Sequence, residues 1–204
     1  MRIELHLHTS RYSACATATA SQLMEQMIRI GYEAVYITEH DAVWSDREIE
    51  QVQLGYPDIR IFPGVELSIG PELLKHLVVL GTNDPAYLAL RDDPAGILAK
   101  ARDEGHLTIL AHPFRWEGAE EMFQAGLLPD ALEYRTGNHS PSEAKVAEAA
   151  SATYGLPLVN AGDVHSPRFL DRFWIETDRP VHKADDIRRA VMNRAYVNRS
   201  EKDR

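Results

Sequence analysis

The chain has 204 residues, of which 44% are hydrophobic and 26% are charged, and its formal net charge at pH 7 is -9. This length and composition are typical of one soluble globular domain, expected here over residues 1–204. The acidic balance argues against broad non-specific binding of DNA or RNA, which depends on a basic surface.

Cysteine use and the N-terminal sequence bear on the cellular compartment. The single cysteine, Cys15, cannot form an internal disulfide, which agrees with a reducing compartment. The first residues, MRIELHLHTS, contain no basic segment followed by an apolar run, so we expect no secretory signal. No apolar stretch approaches the roughly 20 residues needed to cross a bilayer. We therefore expect a cytoplasmic protein without a membrane partner.

Short β-like runs alternate with helix-like segments along the chain. The first half is predicted to hold, in order, strand 3–8, helix 21–30, strand 34–38, helix 46–54, strand 59–66 and an apolar run at 77–80. The second half is predicted to hold helix 94–104, strand 107–111, short helix 117–124, strand 131–134, helix 140–154, strand 156–161, helix 184–193 and an extended piece at 195–197. Gly31, Gly105 and Gly155 are expected to end helices. The charged tail, 199–204, is predicted to be frayed.

This alternation predicts an α/β fold with a mainly parallel sheet. About seven strand–helix units in one small domain suggest a barrel or a strongly curved sheet. In either architecture the reactive groups are expected at the C-terminal ends of the strands.

Side chains that commonly bind metals recur where the predicted strands end. His6 and His8 lie two apart on the first strand, so both point to the same side and could reach one ion. His76 precedes the fourth strand, in HLVVLG. The other candidates follow strands, namely His40 in ITEHD, Glu66 in GVEL, His112 in ILAHPF, and Asp163 and His165 in AGDVH. Any one histidine could be an ordinary core or surface residue, but that explanation gives no reason for the whole set to recur at strand ends.

The number of these candidates predicts more than one metal ion. Six histidines and two carboxylates exceed the roughly four ligands of one tetrahedral site. We therefore expect two or three divalent ions, with a carboxylate as a bridge. Imidazole and carboxylate ligands suit Zn, Mn or Fe without distinguishing among them.

In these motifs the chain resembles the PHP family (polymerase and histidinol phosphatase). The matching pieces are ELHLHTS, ITEHD, GVEL, HLVVLG, LAHP and GDVH, in the order of the family, from about residue 2 to residue 197. The resemblance implies a distorted, TIM-barrel-like barrel of seven β/α units with a two- or three-metal site at its C-terminal face. It further implies one ion held by His6, His8, Glu66 and Asp163, a second held by Glu66, His76 and His112, and a third site served by His40 and His165.

Two positions depart from the family pattern. Glu4 stands where the first motif often has Asp. The third site usually draws an Asp or His from the stretch after the first motif, and here Ala14 lies near that place with Cys15 beside it. Either Cys15 is a ligand, or the third site is weak or empty.

The expected chemistry is hydrolysis of a phosphate ester. A metal pair would lower the pKa of a bridging water, and the resulting hydroxide would attack phosphorus. His165 or His40 could donate a proton to the leaving alkoxide if it is not bound to metal. Arg115, Arg11 and Arg168 lie beside motifs and are candidate ligands for substrate phosphate, although each could equally be a solvated surface arginine.

Three functions remain open from the sequence. The first is a phosphoesterase for a small phosphorylated substrate, which the short chain and the acidic balance favour. The second is a nuclease acting on oligonucleotides or nucleotide ends, which a strip of basic and aromatic residues would support. The third is a non-catalytic metal-binding scaffold, which the loss of ligands would favour. One barrel hosts many reactions, so the fold does not identify the substrate.

Overall fold

A computed structural model describes residues 1–70 and 72–203 of the chain. Over this part the strands are β1 Arg2–Leu7, β2 Ala34–Ile37, β3 Arg60–Ile69, β4 Lys75–Leu80, β5 Leu107–Ala111, β6 Ala131–Glu133, β7 Leu158–Val159, β8 Phe173–Thr177 and β9 Tyr196–Ser200. The helices are α1 Ala20–Arg29, α2 Asp46–Gly55, α3 Pro94–Glu104, α4 Ala119–Gln124, α5 Pro141–Tyr154 and α6 Asp186–Met192. Short 3-10 segments occur at Pro85–Leu90, Pro167–Phe169 and Glu201–Asp203.

All of these strands join one sheet in the order β7-β6-β5-β4-β3-β2-β1-β8-β9. The pairs β1–β2, β2–β3, β5–β6 and β6–β7 are parallel. The pairs β3–β4, β4–β5, β1–β8 and β8–β9 are antiparallel. The prediction of a mainly parallel sheet is therefore wrong. Parallel neighbours need a crossover of about a dozen residues, and the connection from Ile69 to Lys75 is too short for one.

Side chains of β9 hold the free edge of β7. Asn198 Oδ1 accepts a hydrogen bond of 2.7 Å from Asn160 N, and Asn198 Nδ2 donates one of 2.8 Å to Leu158 O. The Tyr196 hydroxyl donates a second hydrogen bond, of 2.7 Å, to Leu158 O. Two edge strands that share no regular ladder are thus joined by amide and phenol groups, and this seam nearly closes the sheet.

The chain beyond β7 completes the closure at one end of the barrel. His8 N donates to Val164 O at 2.8 Å, and Val164 N donates to His6 O at 3.0 Å. Next to this bridge, a side chain takes the place of backbone hydrogen bonds between β1 and the segment after β7. Glu4 Oε1 accepts hydrogen bonds from Gly162 N at 2.7 Å and from His6 N at 3.1 Å. The distorted barrel expected from the sequence is therefore confirmed.

The last helix, α6, covers the opposite end of the barrel. Ile187 and Val191 are fully buried in one cluster with Ala34, Leu80 and Leu107. These three residues lie where β2 and β5 begin and where β4 ends. The helix α6 therefore leaves the other end of the barrel, where the candidate site lies, uncovered. In the described ranges, the helices are too short or too polar to cross a membrane.

Several parts of the chain differ from their predictions, among them the strand predicted over 156–161, which is formed only at Leu158–Val159. β8 was not predicted, although it lies between β1 and β9 in the sheet. The tail is not frayed over its described part, because Arg199 and Ser200 belong to β9 and Ser200 N donates to Asp203 Oδ2 at 2.6 Å. Arg204 lies outside the described residues. His76 lies within β4 rather than before it.

Candidate metal centre

The metal-binding residue types gather at the end of the barrel opposite α6. β1, β2 and β5 end there, whereas β4 runs antiparallel to its neighbours and begins there. The reversed direction of β4 explains how His76, near the start of a strand, meets Glu66 of β3. His76 Nδ1 lies 2.9 Å from Glu66 Oε1. One antiparallel strand therefore contributes to the same face as the parallel ones.

Turns that follow the strands force three non-glycine residues into the left-handed region of the backbone. The angle φ is 48° at Asp41, 29° at His112 and 48° at Asp163. Side chains with a β-carbon rarely adopt this conformation, and such residues often mark functional sites. His112 and Asp163 are also nearly fully buried. The chain thus turns sharply at two of the candidate ligands.

Four buried atoms at this end lack a hydrogen-bond partner among the described residues, namely His6 Nε2, His8 Nε2, Glu66 Oε2 and Asp163 Oδ1. Both histidine nitrogens lie 3.2 Å from Glu66 Oε2, and they lie 3.6 and 3.4 Å from Asp163 Oδ1. Bonds of about 2.0–2.2 Å to a tetrahedral zinc ion put ligand atoms about 3.3–3.6 Å apart. The four histidine–carboxylate distances fall close to this range, and donor atoms of His6, His8 and Asp163 all lie within 4.8 Å of one another. These three residues and Glu66 are called the inner group below.

The inner group holds its two carboxyl groups in the ionised form. Burial alone would raise the pKa of Glu66, but the positive charge of His6 and hydrogen bonds such as that from His112 lower it well below its usual range. The pKa of Asp163 is lowered in the same way, against burial, by the charge of His6 and by His8, whose Nε2 lies 3.4 Å from Asp163 Oδ1. Burial would lower the pKa of His6, yet the charges of Glu66 and Asp163 raise it well above its usual value. Binding of a divalent ion here would therefore release protons.

The other carboxylate oxygen of Glu66 faces a second set of histidines. Glu66 Oε1 lies 2.9 Å from His76 Nδ1 and 3.3 Å from His112 Nε2. His40 Nδ1 approaches Glu66 Oε2 at 2.8 Å, and donor atoms of His40, Glu66 and His76 all lie within 4.8 Å of one another. His40, Glu66, His76 and His112 are called the outer group below. Glu66 belongs to both groups, as a bridging carboxylate would.

A third set consists of His8, His40 and His165, whose donor atoms also lie within 4.8 Å of one another. The ring of His8 stacks against both neighbours, with centroid distances of 4.3 Å to His40 and 4.3 Å to His165. His8 and His40 already belong to the inner and outer groups. Cys15 lines the same cavity, and partial burial raises the pKa of its thiol.

A cavity of about 310 Å³ opens over these groups. Its lining consists of Cys15, His40, His76, His112, Arg115, Asn138, Asp163, His165 and Phe169. The guanidinium carbon of exposed Arg115 lies 5.2 Å from the ring centre of Trp116, which is also exposed. Asn138 Nδ2 donates to Asp163 Oδ2, so that the other oxygen of Asp163 faces the inner group. The volume is at the small end for ligand sites, which suits a compact group such as phosphate.

The other two arginines singled out in the sequence lie away from the described lining of this cavity. Arg11 forms an ion pair with Glu48, and its guanidinium carbon lies 5.4 Å from the ring of Trp44, beside a separate groove. Arg168 is exposed and lies 4.8 Å from the ring of Phe169. Of the three arginines, the structure therefore brings Arg115 to the candidate site.

Residues that the sequence did not single out also contact the candidate ligands. Glu133 ends β6, and its Oε1 lies 2.8 Å from His6 Nδ1. A carboxylate at the end of a strand is the same signal that identified Glu66, so this residue could have been found. Asn138 lies in a polar loop, where nothing in the sequence distinguishes it from its neighbours.

No protein-family model matches the chain. A segment of 65 residues, 32% of the chain, is 35% identical to a PolC-type DNA polymerase III of Clostridium perfringens, and covers only 4% of that protein. This chain therefore corresponds to only a small part of the polymerase.

Solved structures resemble the chain over most of its length. A two-domain protein from Bacteroides vulgatus that contains a predicted PHP-like metal-dependent phosphoesterase aligns with a TM-score of 0.72 and 17% identity, over 98% of this chain and 64% of that one. A protein from Bifidobacterium adolescentis described as a metal-dependent phosphoesterase aligns with a TM-score of 0.63 and 15% identity, over 95% and 96% of the two chains.

A lesion-specific endonuclease from Pyrococcus furiosus aligns with a TM-score of 0.65 and 15% identity, over 94% of this chain and 56% of that one. At such identities the likeness concerns the fold. The resemblance to PHP-like proteins that the motifs indicate is confirmed at that level.

Proposed function

We propose that this protein is a metal-dependent phosphoesterase that hydrolyses a phosphate ester at a pair of divalent ions. The observation that carries the proposal is that His6 Nε2 and His8 Nε2 each lie 3.2 to 3.6 Å from a carboxylate oxygen of Glu66 and of Asp163, and that all four atoms are buried without a hydrogen-bond partner among the described residues. Buried polar atoms without partners are costly in a folded protein, and a metal ion would satisfy all four at once. The fold is shared with proteins that are predicted to be metal-dependent phosphoesterases, which supports the same function.

The grouping of the ligands supports two ions rather than three. His6, His8, Glu66 and Asp163 would hold the first ion, and the outer group, which shares Glu66, would hold the second. A third ion would have to share His8 and His40 with these two. His165 would then remain free of metal, and the Zn, Mn or Fe expected for such ligands would fill two sites.

Divalent ions at these positions would supply a water acidic enough to yield hydroxide near neutral pH. The protein's own residues would do the rest. Arg115 would bind phosphate oxygens at the cavity rim, because a guanidinium group can donate two parallel hydrogen bonds to them. His165 lies in the cavity wall, where burial and the charge of His8 lower its pKa, which favours accepting a proton over donating one to the leaving alkoxide. Arg11 is engaged by Glu48 and Arg168 lies outside the described lining, so a phosphate role for either requires a different side-chain position.

A nuclease is the second candidate, because an endonuclease shares the fold and the ring of exposed Trp116 lies 5.2 Å from the guanidinium carbon of Arg115. Bases stack on such aromatic side chains, and arginine contacts the backbone phosphates. Oligonucleotides are therefore tested together with small phosphate esters.

Metal content per chain, measured by elemental analysis of protein purified without chelator, tests the proposal first. We expect about two equivalents of Zn, Mn or Fe, followed by hydrolysis of small phosphate esters in a substrate screen. Glu66→Ala and Asp163→Ala are each expected to lose metal and activity together, because each removes a carboxylate from the inner group. Exposed Glu50→Ala serves as the matched control and should keep both.

The outcomes separate the three functions. A metal content that stays near zero after metal is added contradicts the hydrolase. Bound metal without turnover of any ester or oligonucleotide favours the scaffold. Cleavage of oligonucleotides alone favours the nuclease, and full activity in either carboxylate variant shows that the proposed ligand set is wrong.

A further inference from the structure

Two buried carboxylates outside the inner and outer groups lie directly behind the histidines of the first motif. Glu133 is 1% exposed and Glu39 is 0% exposed. Glu133 Oε1 lies 2.8 Å from His6 Nδ1, and Glu133 Oε2 accepts a hydrogen bond of 2.6 Å from His112 N. One side chain thus contacts a residue of the inner group and a residue of the outer group.

Glu39 reaches the second histidine through a serine. The donors around Glu39 are Thr9 N, Thr9 Oγ1, Trp44 Nε1 and Ser13 Oγ. Ser13 donates its only hydroxyl proton to Glu39 Oε2 at 2.5 Å, so Ser13 Oγ can only accept from its other neighbours. It accepts from His40 N at 3.1 Å and lies 3.2 Å from His8 Nδ1. His8 must therefore carry a proton on Nδ1.

The same reasoning applies to His6, because a carboxylate oxygen accepts hydrogen bonds and Glu133 Oε1 lies 2.8 Å from His6 Nδ1. A neutral imidazole with its proton on Nδ1 has its lone pair on Nε2. Nε2 is the atom that both histidines direct into the inner group. The two carboxylates therefore select, by different routes, the tautomer that a metal ligand needs.

We propose that Glu133 and the Ser13–Glu39 pair are positioning residues that hold His6 and His8 with Nε2 available to a metal ion. The inference rests on the proposed function, since it assigns these residues to the same metal centre. Each also contacts the backbone of an outer-group histidine, His112 or His40, and so couples the positions of the two groups. Partners of this kind commonly change metal affinity by about 10- to 100-fold.

A glutamine at position 133 tests the requirement for a carboxylate. Its amide has one acceptor and one donor end, whereas His6 Nδ1 and His112 N both need an acceptor. If the amide oxygen accepts from His112 N, the amide nitrogen donates to His6 Nδ1 and forces the proton onto Nε2. If the amide is rotated by 180°, its nitrogen faces His112 N, so two hydrogen-bond donors face each other. Either arrangement weakens metal binding without a change in side-chain size.

The experiment measures Zn²⁺ affinity and stoichiometry by competition with a chromogenic chelator, on metal-stripped proteins at pH 7.5. The variants are Glu133→Gln and Ser13→Ala, with Asp130→Asn as the matched control. Asp130 lies just before β6, where its carboxylate binds Thr108 N at 3.0 Å, and it does not contact the ligands. Visible spectra of the Co²⁺ forms report the coordination itself, which a loss of general stability does not alter.

We expect wild type and Asp130→Asn to bind two ions with affinities within about twofold of each other. Glu133→Gln and Ser13→Ala should each bind Zn²⁺ about 10- to 100-fold more weakly, with altered Co²⁺ spectra. Wild-type affinity and spectra in both variants, beside a wild type that binds two ions, would overturn the positioning role and leave the proposed function intact. A wild type that binds no metal would overturn both. Ser13→Ala removes one oxygen atom only, so it decides the matter if Glu133→Gln fails to fold.

Discussion

Glu4 combines full burial with an incomplete set of hydrogen bonds. Its Oε1 accepts from three backbone N–H groups, those of Leu5, His6 and Gly162, while its Oε2 is buried without a partner among the described residues. Burial raises the pKa of Glu4 to about 8, and the hydrogen bonds from Gly162 and His6 offset only part of that rise. The carboxyl group that seals the barrel is therefore protonated in the folded protein at neutral pH.

This raised pKa predicts that Glu4 makes the free energy of unfolding depend on pH. Glu4→Gln should remove that dependence. In the unfolded chain the carboxyl titrates near 4.5, so between pH 4.5 and 8 the unfolded state releases a proton that the folded state keeps. The contribution of Glu4 to stability is complete below pH 4.5 and is lost as the pH rises through 8. Relative to wild type, Glu4→Gln should gain on the order of 3 kcal/mol between pH 5 and pH 9.

Urea unfolding of both proteins with chelator present, at several pH values, measures this difference. Exposed Glu50→Gln is the control and should follow wild type at every pH. A constant gap between Glu4→Gln and wild type would show that Glu4 does not keep its proton on folding.

At the scale of single residues, the sequence indicates the candidate metal ligands but not the residues that hydrogen-bond to those ligands. Glu66 and Asp163 were recognised because a carboxylate at the end of an apolar strand needs a partner. Glu133 follows the same rule and was overlooked. Ser13 could not have been found, because its role depends on a hydroxyl proton that Glu39, 26 residues away, accepts.

At the scale of elements, helices were predicted more closely than strands. α3 begins and ends where it was predicted, since Pro94 at its first turn and Gly105 at its end, with φ of 83°, are local signals. α5 ends at Gly155 for the same reason. The direction of β4 and the existence of β8 depend on partners elsewhere in the sheet, so local periodicity does not reveal them.

The contact between β1 and the segment after β7 requires a glycine at position 162, which gives a prediction for this segment. A β-carbon on Gly162 would lie 2.5 Å from Val164 Cγ2 and 2.6 Å from Glu4 Oε2. Gly162→Ala should therefore lower the free energy of unfolding by about 1–3 kcal/mol, because both neighbours must move. Urea denaturation measures the change, and Gly55→Ala, where nothing lies within 4 Å, is the control. An unchanged urea midpoint for Gly162→Ala would show that the contact between β1 and the segment after β7 is loosely packed.

At the scale of the whole molecule, closing the barrel and building the site are parts of one process. Glu4 and Gly162 are 158 positions apart, and Asn160 and Asn198 are 38 apart. The same segment, residues 160–164, carries Asp163 into the inner group and pairs with β1 beside His6 and His8. A barrel could be predicted from the number of strand–helix units, but these contacts join distant positions through irregular geometry, so the sequence pattern did not reveal how it closes.

This coupling predicts that a substitution on β9, far from the ligands in sequence, weakens the entire barrel. Asn198→Ala removes the acceptor of Asn160 N and a donor to Leu158 O, which should cost about 1–3 kcal/mol of unfolding free energy. Exposed Asn193→Ala is the control and should stay within about 0.5 kcal/mol of wild type. Amide hydrogen exchange at Asn160 is the more specific readout, since this N–H loses the acceptor that it has among the described residues and should exchange faster than in the control. If urea midpoint and exchange rate both stay at their wild-type values, the edge of β7 is held by something other than β9. If both change, the segment that carries Asp163 depends on the last strand of the chain.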